Sequence, residues 1–218
     1  MLKKILAIET SCDDTSVALV SEEGFVYEMV SANQDLAHAP FGGIVPEIAC
    51  RNHSIALLPL IDDLFMRAKI SWPEIDGIAV TNRPGLIGSL IVGVVTAKTL
   101  AQVYSKPLIG VNHLEGHILA PFLFDADRER PSLEFPFIAL AVSGGHTSIY
   151  EIQGLGDYSV LGATLDDAAG EAFDKFAKML GLGFPGGVKV DQLARAGDTK
   201  AFDFPRGLIH EETYQMSF

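Results

Sequence analysis

Basic residues are scarce, cysteines are nearly absent, and no long uninterrupted apolar run occurs in these 218 residues. Sixteen Lys and Arg stand against 28 Asp and Glu, a formal net charge of −12 at pH 7. Nonspecific attraction to nucleic acid rests on clustered cations, so this balance argues against a chain that grips phosphate backbones by charge alone. Two cysteines, Cys12 and Cys50, are too few for a disulfide framework and fit a reducing compartment. The short basic lead at Lys3 and Lys4 is followed by only four apolar residues, fewer than the roughly seven of a secretory signal. The stretch from Leu86 to Ala101 is broken by glycines and Lys98, short of the roughly 18 continuous apolar residues of a membrane span. A soluble, cytoplasmic protein is the expectation. What is present is a hydrophobic content of 48 %, enough for a real core.

Strand and turn signals alternate from the start. Lys4 to Ile8, Ser16 to Val20 and Phe25 to Val30 read as strands, with a polar turn from Glu9 to Thr15 and a hairpin signal at Glu22-Glu23-Gly24. A helix is expected from Pro46, with Ile48, Ile55, Leu58, Ile61, Phe65 and Ala68 on its apolar face and a kink at Pro59. A strand over 75–81, a buried helix over 86–104, a strand over 107–111 and a helix over 113–124 follow. The pattern then restarts: strands at 137–142 and 148–152, a third over 158–161, and a helix over 166–180 with Ala169, Phe173, Phe176 and Leu180 on its apolar face. The remainder, 182–218, reads mostly as loop. This predicts an α/β chain of two topologically related lobes, residues 1–131 and 132–218. Each lobe has a polar turn between its first two strands, facing a cleft, and the second is expected to be incomplete, as if the chain were cut short.

Four groups of residues carry candidate chemistry. In the first turn, Glu9, Thr10, Ser11 and Asp13 offer hydroxyls, backbone N–H groups and carboxylates for a phosphate and its cation. Taken alone, this turn reads as an ordinary hairpin with solvated acids. Ser143-Gly-Gly-His-Thr147 fits a Gly-Gly hairpin and a phosphate cradle equally. Two such turns in matching positions favour a nucleotide. On the following helix Asp167, Gly170, Glu171 and Asp174 share a face, and a glycine there costs about 1 kcal/mol relative to alanine, which hints at close approach by something. Finally, His113 and His117 stand at i and i+4, a spacing suited to one metal ion or to two surface histidines. Glu115 follows two places after His113, which argues against His-Glu-x-x-His peptidase chemistry. His38, His53 and His210 read as structural. Arg83-Pro-Gly85 opens a helix whose N-terminus offers an anion seat, while Gly88 and Gly93 suit close helix packing.

Together, Ile8-Glu-Thr-Ser-Cys-Asp-Asp14, Gly43-Ile-Val-Pro-Glu47, Arg51-Asn-His53, Pro84-Gly-Leu86, His113-Leu-Glu-Gly-His117, Val142-Ser-Gly-Gly-His146 and Asp166-Asp-Ala-Ala-Gly-Glu-Ala-Phe-Asp174 resemble the TsaD family. These are the tRNA threonylcarbamoyladenosine transferases, once described as O-sialoglycoprotein endopeptidases. The resemblance implies the actin and sugar-kinase fold of two ribonuclease-H-like lobes. It implies transfer of a threonylcarbamoyl group from threonylcarbamoyl-AMP, made by a separate synthase, to the tRNA adenosine beside the anticodon. It further implies one divalent metal, iron(II) or alternatively zinc, on His113 and His117. The ATP or adenylate ligand would lie on Ala141, Val142, Ser143, Gly144, Gly145, Asp174, Gly187 and Asp191. Implied partners are tRNA and TsaB-like and TsaE-like proteins, with no membrane. The family's later glycine-rich motif, with an asparagine and a metal-binding aspartate, has no counterpart here, so the isolated chain is expected to be inactive. A non-catalytic ATP-binding or assembly module of the same superfamily is the alternative.

Overall fold

The computed structural model describes residues 3–218. Two compact units divide the chain, one reaching to Leu133 and the other comprising Glu134–Phe218. The first opens with three antiparallel strands, β1 (Lys4–Glu9), β2 (Thr15–Ser21) and β3 (Val26–Ala32). After them come α1 (Asp35–His38), α2 (Pro46–Ala68), β4 (Gly77–Arg83), α3 (Ile87–Val103), β5 (Leu108–Asn112) and α4 (His113–Leu119). β4 pairs parallel to β1, and β5 parallel to β4, giving the order β3-β2-β1-β4-β5. This antiparallel meander extended by parallel strands agrees with the ribonuclease-H-like expectation. Alternate residues of β2 are buried, as a strand packed on one face requires. Leu6, Ile8, Val17 and Leu19 meet Leu57, Ile61, Leu64, Ala97 and Ala101 in one core.

The expected face of α2 packs only towards its C-terminal end, where Ile61 is buried and Phe65 and Ala68 lie against the core. The buried residues of α2 are Ala49, His53, Leu57, Ile61 and Leu64, whereas Ile55 and Leu58 are 67 % and 55 % exposed. Apolar residues occur on several sides of this helix, so spacing alone does not select the packed one. Helical structure runs through Pro59 without a break; its missing N–H falls on the exposed side, where water can serve the freed carbonyl. α3 is not buried all round. Its core face is the small-residue row Ser89, Gly93, Ala97 and Ala101, and Ile87, Ile91 and Val95 are exposed. Small residues win that face because α3 lies directly on the polar turn after β1. A Cβ at Gly93 would strike the Thr10 hydroxyl, and one at Gly88 would press on Cys50.

The second unit repeats the opening: β6 (Phe137–Val142), β7 (Thr147–Gly154) and β8 (Asp157–Ala163) form an antiparallel sheet in the order β6-β7-β8. α5 (Ala169–Met179) and α6 (Gly187–Ala194) follow. α5 begins three residues later than expected. Asp166 and Asp167 are held outside it, the first accepting from the Ser217 hydroxyl and the Phe218 N–H, the second offering its carbonyl to Thr164 Oγ1 at 2.6 Å. Its expected apolar face is uncovered too, with Phe173, Phe176 and Leu180 exposed and only Ala177 buried. Ala177 packs on Gly186, where a Cβ would collide with its side chain. α6 lies in the stretch expected to be loop. Among the described residues no helix is long and apolar enough to cross a membrane.

Candidate functional site

The carboxyl ends of three adjacent parallel strands meet in the first unit, the usual place for a ligand in an open α/β sheet. Glu9 ends β1, Thr81 stands near the end of β4, and His113 directly follows β5. Asn112 caps α4, its side chain accepting from Leu114 N at 2.9 Å, so the helix starts on His113. His117 comes one turn later, and the two Nε2 atoms converge to 3.0 Å. Behind them, Glu9 Oε2 lies 3.0 Å from His113 Nδ1 and accepts from Thr81 Oγ1 at 2.6 Å, while Oε1 accepts from Ser11 N. Burial alone would push the Glu9 carboxyl up. Hydrogen bonds from His113, Ser11 and Thr81 outweigh it and bring the pKa down to about 2. Glu9 is therefore an anion at any ordinary pH.

The rest of that turn is anchored to protein. Thr10 is fully buried and donates to Ser89 O at 2.9 Å. Ser11 O accepts from Leu86 N at 2.8 Å, its hydroxyl lies 3.1 Å from His113 Nδ1, and a Cβ on Gly85 would come within 2.5 Å of that same carbonyl oxygen. Buried His53 donates from Nε2 to Cys12 O at 3.0 Å, so its Nδ1 accepts from the Thr15 hydroxyl at 2.8 Å. The motif Arg51-Asn-His53 thus ties α2 to the turn. Asp13 is half-buried beside Cys12. Burial, reinforced by Asp13, pushes the Cys12 thiol up to about 12.

As a metal centre the cluster supplies two imidazole nitrogens facing one point, which fits a divalent ion of borderline softness. Among the described residues no set of three His, Cys, Asp or Glu side chains is arranged to hold a metal. Thr81, and Ser11 as a neighbour of His113, were invisible to spacing arguments, because 102 residues separate Ser11 from the histidine.

In the second unit, Ala141 and Val142 end β6 opposite Ser148 and Thr147. The turn beyond is closed by Ser143: its N–H donates to His146 O at 2.8 Å, and its Oγ accepts from His146 N at 2.9 Å. A Cβ added at Gly144 or Gly145 would meet nothing within 4 Å. No protein neighbour demands glycine at either place, and the open face would admit a ligand to the backbone. Gly170 is different. A Cβ there would lie 2.8 Å from both Gly144 Cα and Ser143 O, so what approaches this helix closely is the turn itself. Asp174 accepts from Gly186 N at 2.7 Å, bringing the Pro185-Gly186-Gly187 turn to α5. Gly187 starts α6, and Asp191 sits exposed on it, paired with Arg195 at 2.8 Å. The structure therefore gathers Ser143, Gly144 and Gly170 at one end of α5, and Asp174, Gly186 and Gly187 farther along it.

The family described as TsaD, tRNA N6-adenosine threonylcarbamoyltransferase, matches residues 25–218. A Bdellovibrio bacteriovorus protein named tRNA N6-adenosine threonylcarbamoyltransferase is 64% identical over 220 residues, covering 100% of this chain and 64% of its own length. A protein of the same name from Syntrophotalea carbinolica is 50% identical over 214 residues, covering 98% of this chain and 61% of its own. This chain thus spans just under two thirds of the length of these relatives. Among solved structures, YeaZ from Pseudomonas aeruginosa shares 24% identity over 73% of this chain and 67% of its own, with a TM-score of 0.45. On the family match and the identity to these relatives, this chain belongs to the TsaD family.

Proposed function

We infer that this chain carries the metal-binding and much of the adenylate-binding part of a tRNA N6-adenosine threonylcarbamoyltransferase. The observation that carries the reading is the convergence of His113 and His117 at the carboxyl end of the parallel strands, in a chain 64% identical to a protein of that name. The reaction moves a threonylcarbamoyl group from threonylcarbamoyl-AMP, supplied by a separate synthase, to the exocyclic amine of the adenosine beside the anticodon. His113 and His117 present their Nε2 atoms to one divalent ion, iron(II) or zinc. Such an ion supplies Lewis-acid polarisation of the carbonyl under attack. The adenylate lies on the Ser143-Gly144-Gly145 turn, whose open backbone takes phosphate. Asp174 and Asp191 face hydroxyl or carbamoyl groups, and Asp191 exchanges its Arg195 pairing for the ligand. Holding carbonyl and amine in line converts a bimolecular encounter into a positioned one. TsaB-like and TsaE-like proteins in the cytoplasm complete the assembly and help hold the tRNA.

The test is metal analysis of the anaerobically purified full-length relative from Bdellovibrio, with a transfer assay on tRNA. About one ion per chain is expected, and the equivalent of His117→Ala should lose most of the occupancy and the transfer. Unchanged occupancy in that variant would overturn the assignment. Of the alternatives, a non-catalytic assembly module has no support in the relatives' names.

A further inference from the structure

We propose that Glu9 is a positioning residue that fixes His113 as the Nδ1–H tautomer, leaving the Nε2 lone pair aimed at the point shared with His117. This rests on the metal reading above for its purpose, though its geometry stands apart from that reading. A carboxylate only accepts hydrogen bonds, so the 3.0 Å contact between Glu9 Oε2 and His113 Nδ1 favours the proton on Nδ1, over the alternative in which Nδ1 accepts from the Ser11 hydroxyl 3.1 Å away. The other ring nitrogen then carries the lone pair, and it is the one 3.0 Å from His117 Nε2. The ring is held edgewise to its neighbour, with centroids 4.5 Å apart and an interplanar angle of 80°, so both nitrogens are presented to one point rather than stacked away from it.

The carboxylate is itself fixed by two further hydrogen bonds. Thr81 Oγ1 on β4 donates to Oε2 at 2.6 Å, and the Ser11 N–H beyond β1 donates to Oε1. Rotation of the carboxylate away from His113 would break both. Residues of β1 with its following turn, of β4 and of α4 thus meet at one carboxylate, a construction that mere surface solvation of a glutamate does not produce. Partners of this kind set the orientation and basicity of a metal-binding histidine, and their loss typically costs 10- to 100-fold in metal affinity. Thr81 belongs to the same device, acting through Glu9.

The experiment uses the 218-residue chain with 15N-labelled histidine, metal-free at pH 8, the His113 signals being identified by their loss in His113→Gln. Long-range proton–nitrogen spectra report which ring nitrogen carries hydrogen, and titration with Zn2+ reports affinity on the same samples. In the wild type, Nδ1 should be the protonated nitrogen. Glu9→Gln should populate the Nε2–H form and weaken Zn2+ binding about 10- to 100-fold. Thr81→Val should move both readouts the same way by less, and Thr81→Ser, which keeps the hydroxyl, should restore them. An Nε2–H His113 in the wild type would overturn the proposal. So would a Glu9→Gln protein with unchanged tautomer and affinity within twofold, and in that case the metal reading would survive. If no variant binds Zn2+ while the tautomer still follows Glu9 and Thr81, the positioning role stands, and the metal reading is decided by the occupancy of the full-length relative. The Thr81 pair keeps the test decisive should Glu9→Gln fail to fold.

Discussion

Gly170 and Gly145 flank the same turn, yet alanine should act on them in opposite ways. In a helix interior, Gly→Ala normally stabilises by about 1 kcal/mol. At Gly170 the new methyl would sit 2.8 Å from Gly144 Cα and from Ser143 O, which are backbone atoms that cannot step aside cheaply. Overpacking of this kind costs about 1–3 kcal/mol, so the steric effect wins and Gly170→Ala should lower the melting temperature of the second unit. Gly145 has nothing within 4 Å and no positive φ. Gly145→Ala should melt with the wild type but bind an adenylate analogue at least severalfold more weakly by calorimetry; equal affinity would remove the ligand from that turn. Cys12 gives a second residue-scale expectation. With its thiol pushed up to about 12 by burial and Asp13, almost none is thiolate at pH 8. Iodoacetamide should label it at least tenfold more slowly than a free cysteine, whose pKa is about 8.5, with the rate still climbing above pH 10. A rate that levels off near pH 9 would contradict that environment.

At the level of elements, α3 separates what packs from what merely looks apolar. Ala97 is fully buried and Ile91 is 55 % exposed, the reverse of their hydrophobicity. Ala97→Leu should therefore destabilise the first unit by about 1–3 kcal/mol in urea unfolding, whereas Ile91→Ser should stay within about 0.5 kcal/mol. A larger loss from Ile91→Ser would mean the outer face is packed. The strands were legible because alternation and Gly-containing turns such as Ser21 to Phe25 act locally, Gly24 taking φ +88. The packed face of α3 and that of the first half of α2 were not, since selecting among several apolar faces depends on what lies opposite, for α3 the polar turn carrying Thr10. α6 escaped because its short sequence starts on glycine and keeps Val188 and Leu193 exposed, so it shows no buried stripe. The histidine pair was legible for a local reason, the one-turn spacing. The Glu9–Thr81–His113 bonds were not, because only the parallel order of β1, β4 and β5 brings those three residues together.

Across the whole molecule the charge balance bears on how the proposed tRNA substrate would be held. The net charge is −12, and six of the 16 Lys and Arg are paired with carboxylates. Lys3 pairs with Glu22, Lys4 with Glu74, Arg67 with Asp63, Arg130 with Glu23, Lys175 with Asp167 and Glu171, and Arg195 with Asp191. Exposed pairs of this kind contribute little stability, but the paired carboxylate weakens the field its cation presents to a phosphate. A surface that neutralises Z phosphates loses affinity with a log–log salt slope near −0.7Z to −0.9Z, so six to ten contacts would cost about a thousandfold or more between 50 and 200 mM salt. This chain alone should show a far shallower slope, a loss of less than about tenfold over that range, and weak tRNA binding overall. If, as proposed, TsaB-like and TsaE-like proteins help hold the tRNA, adding them should both tighten binding and steepen the slope. Fluorescence anisotropy with labelled tRNA at four salt concentrations, with and without those proteins, measures both quantities. A thousandfold loss for the chain by itself would place the basic surface here, and the partners' share in holding tRNA would then have to be given up.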